Sequence, residues 1–536
     1  MKRRRNRPEI PNALALPHAL RNLDQRPPVT RREFLGRGLL GTTATVVGTS
    51  TMLNLFGKPR TARATLAPDI AALVNVPCNI KAGAGKIPMI VFDLAGGGNV
   101  AGSNALVGGP GGQLDFLTTA AYSVLGLPGN MIPNSSVGAG SFIDMSLGLA
   151  MHSDSAYLRG ITSIAAATTK ANVTGAVIPA ISTNDTDLNV HNPMYGIHSA
   201  GAAGDLLVLI GTESTVSGGN SMAPSYMIDP TSMPTVVRQP SDVTGLVNTG
   251  ALVGLLNQAD AVSVLESAER ISAMKLAQVN TLLPSAQDTS AKQIVQCSYV
   301  KAADLVDRYG NATQTLDPSQ DPNIVGPGGI FTAAQFQDNE FLATASVMKM
   351  VMNGYAGAGT IEMGGFDYHT GDRATGEARD FKAGQCIGAV LEYAARVGVP
   401  VMIYVLMDGS LASNGMVDNS VGGRGKGVWT ADNSTVASTL MLAFDPKGRP
   451  PTLKNQIGYF QKNNGSVDPA SSPAANGVNL LAETVVLNYM ALHGQAGAFQ
   501  NLTWASGLNT GLGGAATYDA LIAFGQSPSV VNGTIT

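Results

Sequence analysis

The side chains of this sequence that could do chemistry collect at three places. The first is Asp93-Leu94-Ala95-Gly96-Gly97-Gly98-Asn99-Val100-Ala101-Gly102-Ser103-Asn104. Asp93 and Asn99 offer oxygens to a cation, Ser103 and Asn104 add a hydroxyl and an amide, and the glycines can turn backbone N–H groups toward an anion. A plain glycine-rich turn is the other reading. Gly96, Gly98 and Ala101 formally fit a dinucleotide fingerprint, but that motif opens a helix, and Gly102, Gly108, Gly109, Pro110 and Gly111 follow instead. The second place is Glu362-Met363-Gly364-Gly365-Phe366-Asp367-Tyr368-His369. A carboxylate and an imidazole two residues apart on a turn can reach one divalent cation through O and N donors, or can be a capping Asp beside a hydrogen-bonded His. The third is Met407-Asp408-Gly409-Ser410, followed by Gly422-Gly423-Arg424-Gly425-Lys426-Gly427, whose cations either bind an oxyanion or sit in a solvated loop.

These groups need a frame, and the hydropathy pattern supplies one. Ile87 to Leu94, Asp205 to Ile210 and Pro400 to Met407 are continuous apolar runs of the kind buried on both faces of a parallel sheet. A short strand is expected at Gly359 to Ile361. Helical stretches fall at roughly 243–283, 291–309, 332–352 and 374–397, with Met348, Met350 and Met352 as helix packing. Alternating strands and helices predict an α/β fold, a three-layer α/β/α sandwich around a mostly parallel sheet, with a mainly helical insertion at about 241–353. In such a sheet the chemistry belongs at the carboxyl ends of the strands, where all three places lie.

Charge divides the chain in two. Of 34 Lys plus Arg and 37 Asp plus Glu, residues 1–64 hold 13 basic and 3 acidic, a balance of +10, and the remainder balances at −13. A body of that sign repels phosphate, which argues against nucleic acid or anionic lipid as its partner. The 27 Asp against 10 Glu suit loops and helix caps, or oxygen-rich metal sites. Three cysteines, Cys78, Cys297 and Cys386, permit at most one disulfide, and buried free thiols are expected.

Thr30-Arg31-Arg32-Glu33-Phe34-Leu35 resembles a twin-arginine translocation signal, and a mildly apolar stretch from Gly38 to Phe56 and Ala62-Arg63-Ala64 follow it. The stretch is long enough to span a bilayer but too rich in Thr, Ser, Gly and Asn to be a stable membrane anchor. The resemblance implies recognition by the twin-arginine translocase, export of an already folded protein and a periplasmic or extracellular location in a bacterium.

With that signal, the strand running into Gly96-Gly97-Gly98-Asn99 and the block Gly364-Gly365-Phe366-Asp367-Tyr368-His369 together resemble the exported domain-of-unknown-function family fifteen-hundred-and-one, which looks related to alkaline phosphatases and sulfatases. The family pattern GGFDTH is matched with Tyr368 in place of Thr. Where the family has Ser-Glu-Phe-Gly-Arg and Thr-Asp-His-Gly, this chain has Met407-Asp408-Gly409-Ser410 and Gly423-Arg424-Gly425-Lys426. The resemblance implies one alkaline phosphatase-like domain over 65–536 and a metal-dependent hydrolase of phosphate or sulfate esters. Asp367 and His369 would bind zinc, calcium or magnesium, with Asp93, Asn99, Asp408 or His493 completing the site and Ser103 as nucleophile. Because the later Asp-His pair has no counterpart, a catalytically degenerate binding or assembly protein is the alternative. His191 and His198 read as packed or surface histidines. Cleavage is expected after Ala64, so exported protein should begin at Thr65; an intact mass that retains residues 1–64 would refute this.

Overall fold

The structure, a computed structural model, describes residues 66–75, 78, 85–134, 140–183, 188–245, 256–309, 315–506 and 511–536. The leader expected at 1–64 lies outside the described residues. Among the described residues no helix is long and apolar enough to cross a membrane.

Strands in chain order are β1 (Met89–Leu94), β2 (Ile143–Asp144), β3 (Met151–His152), β4 (Val173–Pro179), β5 (Leu207–Gly211), β6 (Thr235–Val236), β7 (Ala356–Met363), β8 (Val401–Met407), β9 (Leu411–Asp418), β10 (Lys426–Asp432), β11 (Ser438–Phe444), β12 (Val530–Val531) and β13 (Thr534–Ile535). The helices used below are α1 (Pro68–Asn75), α2 (Thr119–Val124), α3 (Ala156–Ile164), α4 (Ala167–Ala171), α5 (Met194–Ser199), α6 (Pro240–Gly245), α7 (Gln258–Gln278), α8 (Ser285–Tyr309), α9 (Asn339–Met352), α10 (Arg373–Val397), α11 (Val478–Leu492) and α12 (Ala515–Leu521).

The fold is α/β. Seven strands form the central sheet in the order β4-β11-β8-β1-β7-β5-β6, parallel except for β11, which runs antiparallel to both β8 and β4. All six residues of β1 are buried, as expected for a strand with neighbours on both edges and helices on both faces. Alternation sends Ile90, Phe92 and Leu94 into one core with α3, α9 and α10, and Met89 and Val91 into the other with α5, α11 and α12. The expected strands at 87–94, 205–210 and 400–407 thus fall on β1, β5 and β8, and the short one at 359–361 is the middle of the longer β7.

Local chemistry sets the helix ends. Asp372 caps α10 by accepting from Thr375 N, and Gly398 ends that helix at φ 71°, a left-handed conformation that suits glycine. α3 and α10 pack closely because Gly160 and Gly384 face one another; a Cβ on Gly384 would lie 2.9 Å from Tyr157 Cα. The expected insertion divides. α9 packs into the main core and leads straight into β7, whereas α7 and α8 pair with each other and bury small clusters around Val262, Val306 and Val300, with Leu305 and Tyr309 at the end of α8 reaching the main core.

One expectation is corrected. Cys78 and Cys297 form a disulfide, leaving Cys386 as a buried free thiol. Its cause is the docking of α1 on α8, where Ile70 and Val300 bury against each other and bring the two cysteines to a Cα separation of 5.2 Å. Denatured, unreduced protein should therefore alkylate at Cys386 alone. Cys297→Ser should cost about 2–4 kcal/mol in stability, with the gain in amide exchange confined to α1 and α8; exchange spreading into β1 would contradict this placement.

Candidate functional site

Parallel pairing brings the carboxyl ends of β7, β1 and β8 to one edge. Asp93 is the Cα partner of Glu362 on β7 and of Leu406 on β8, and Asp408 follows one residue after β8 ends. Asp93 is wholly buried. Its Oδ2 accepts from Ser221 N at 2.8 Å and Ser221 Oγ at 2.6 Å, while Oδ1 has no hydrogen-bond partner. The loop that delivers Ser221 crosses so close that a Cβ on Gly219 would strike both Asp93 Oδ2 and Thr360. Asn189 donates to Asp408 Oδ1, and Asn220 donates to Oδ2 at 3.5 Å. Burial raises the Asp93 carboxyl to about 6, outweighing the two Ser221 bonds, and the charge of Asp408 adds to the rise.

Asp367 and His369 come together as expected, with a partner that sequence spacing did not reveal. His369 Nδ1 lies against Asp367 Oδ1 and 3.3 Å from Asp432 Oδ1. One ligand atom from each of the three residues falls within 4.8 Å of the others. Asp367 and Asp432 are exposed and His369 half-buried, so the set opens to solvent. The donor chemistry, two carboxylates and an imidazole, fits a divalent cation; so does a buried His369 Nδ1 close to two carboxylates without hydrogen-bond geometry to either.

Asp432 reaches this place because the β9–β10 hairpin is held from below. Leu411 pairs with Asp432, and Asn433 N donates to Ser410 O at 2.8 Å, two residues beyond Asp408. Beneath the hairpin, Trp429 is buried under the Arg373 guanidinium at 4.7 Å, and Gly371 N donates to Trp429 O at 2.9 Å. Glu377 accepts from Arg373 at 2.7 Å and from the buried Lys426 Nζ at 2.9 Å. Burial opposes the charge of Glu377, but the Arg373 and Lys426 cations prevail and keep its carboxyl below the ordinary range. Arg424 pairs with Asp154, and Lys426 also donates to Asp154 O at 2.6 Å. Neither cation is a free oxyanion binder; both fasten the hairpin.

The remaining expected site residues serve the frame. Asn99 accepts from Ala101 N at 2.8 Å and donates to Leu411 O at 2.8 Å, so its amide brackets the glycine turn to β9. Ser103 is wholly buried in that turn, its hydroxyl without a hydrogen-bond partner. Asn104 donates to Asp380 at 2.7 Å, and Tyr368 Oη donates to the other Asp380 oxygen at 2.8 Å. Tyr368, which replaces the Thr of the family pattern, thus ties the Asp367–His369 turn to α10 and to the first loop. His493 lies apart from Asp408: Ile87 N donates to its Nε2 at 2.9 Å, its Nδ1 meets Tyr489 O at 2.8 Å, and burial lowers its pKa to about 3. His191 pairs with Asn479 and His198 with Ala202 O, each at 2.9 Å.

The fold and the edge define an α/β protein with an acidic, donor-rich site at the carboxyl ends of its parallel strands. No family model, curated protein or solved structure matches the chain. The class therefore rests on this geometry.

The Asp93 shift gives a prediction for chelator-treated protein. Below the ordinary value of 3.8 the carboxyl is protonated whether folded or not, between 3.8 and about 6 only the folded state keeps the proton, and above about 6 the buried charge penalises folding in full. Asp93→Asn, which keeps an acceptor for Ser221, should therefore stabilise the protein at pH 8 by at most roughly 3 kcal/mol and leave it unchanged near pH 3. Equal effects at both pH values in denaturant titrations would refute this.

Proposed function

We propose that this protein is a twin-arginine-exported α/β protein of the alkaline phosphatase and sulfatase type, acting as a metal-dependent hydrolase of phosphate or sulfate esters. The observation that carries the reading is the convergence of Asp367, His369 and Asp432, donors from the β7–α10 turn and the end of β10, on one solvent-facing point at the carboxyl edge of the sheet. Zinc suits the imidazole, and calcium or magnesium suits the carboxylates. A cation bound there supplies charge for an ester oxygen and acidifies water. The chain's own residues do the rest: His369 and the two carboxylates hold the donor set open to solvent, and Tyr368 fixes the turn that carries it. Because Ser103 is sealed in its turn, the reading is of direct attack by water rather than of a seryl intermediate.

The second reading is a catalytically degenerate binding or assembly protein. What favours it is that Arg424 and Lys426, which would greet an oxyanion, are committed to Asp154 and Glu377.

Exported protein should carry about one tightly held divalent ion per chain by elemental analysis, and His369→Ala and Asp432→Ala should lose it while keeping the fold. Wild-type protein without metal, or variants that retain it, would remove the metal reading. Retained metal with no turnover of aryl phosphate or aryl sulfate would leave the second reading standing.

A further inference from the structure

A pocket of about 560 Å³ opens where the carboxyl ends of β5 and β7 meet Arg238 and the amino end of α9. That volume is typical of sites for small organic ligands. We propose that it binds an organic cation, an ammonium or guanidinium group on an aliphatic stem, with Glu362 as counter-ion.

Three carboxylates on its wall show how it treats positive charge. Glu213 is paired with the Arg238 guanidinium, which also donates to Thr212 O. Glu340 is paired with Arg379 at 2.5 Å, and Arg379 also donates to Gly364 O. The same arrangement, a guanidinium between a carboxylate and a strand-end carbonyl, thus occurs twice. Glu362 lines the same pocket, half-buried, with no hydrogen bond or ion pair to its carboxylate among the described residues, and its backbone N–H donates to Thr212 Oγ1 at 2.8 Å. Its Cα partner Asp93 is wholly buried and keeps one oxygen unpartnered. Glu213, Glu340 and Asp242 line the same pocket, so Glu362 faces further carboxylates there and has no cation of its own. A ligand's cation supplies the partner that this carboxylate lacks.

The occupant is organic because the pocket gives a metal too little. A hard divalent ion gathers six or more oxygens, whereas here Glu340 gives both oxygens to Arg379, Glu213 Oε2 is paired with Arg238, and Asp242 Oδ2 accepts from Arg238 N and Gln239 N. Val236, Leu342 and Ala343 on the same wall offer apolar surface to a stem instead. None of Asp367, His369 and Asp432 lines the pocket.

The test is calorimetric titration of the exported protein with butylguanidinium, and with butylurea as its uncharged isostere. Butylguanidinium should bind at least tenfold more tightly, and Glu362→Gln should abolish that preference without reducing metal content. Val236→Trp, which fills the pocket and leaves Glu362 in place, should weaken both probes. Equal binding of the two probes, a preference that survives Glu362→Gln, or displacement of butylguanidinium by calcium in wild type but not in Glu362→Gln would overturn the proposal.

Discussion

Everything in this molecule that could do chemistry is placed by the hydrogen bonding of one short strand. β1 is held in parallel between β7 and β8, and burial of all its residues leaves its backbone groups no partners other than those two strands. Parallel pairing means that three chains leave the sheet at the same edge. Asp93, Glu362 and Asp408 leave with them, and the turns that follow bring Asp367 and, through the hairpin, Asp432. An edge so built gathers negative charge in a half-buried setting, where each carboxylate raises the cost of ionising the next. Its need for positive charge is therefore set by topology, whichever cation meets it.

A second constraint is ionic. The β9–β10 hairpin has an exposed tip from Asn419 to Gly422 and could swing, yet its base holds a donor that must face His369. Trp429, Arg373, Glu377 and Lys426 fix that base below the surface. Buried ion pairs of this kind add little to stability because desolvation offsets their attraction, but removing one partner strands the other. Here the cluster serves geometry: an apolar replacement could pack as well and would still lose the orientation of the hairpin.

The sheet was legible because its strands are long apolar runs, and the long helices α8 and α10 follow from periodicity. β4, β11 and α11 were not anticipated, since Val173–Pro179 carries a Gly and a Pro and Val478–Leu492 is apolar on every side, so neither shows a contrast of faces. At the site, Asp367 and His369 were readable because adjacency in sequence places them on one turn. Asp432 was not, because only strand pairing brings it there, and an Asp ending a polar hairpin looks like any other. Asn99 and Ser103 drew notice for their residue types, but in a glycine turn a short polar side chain is as readily spent on its own backbone. Arg424 and Lys426 looked mobile among glycines, and the charges that hold them, Asp154 and Glu377, are distant in sequence.

The Cys78–Cys297 bond has a topological side. It closes a covalent ring that contains β1 through β6, while β7, β8 and β11 lie on the linear remainder of the chain. The central sheet is thus assembled from two kinds of polymer, with β1, a member of the ring, clasped on both edges by strands outside it. A single cut in a connection within the ring leaves the two fragments covalently joined, whereas a cut beyond Cys297 divides the molecule into pieces held by strand pairing and packing alone.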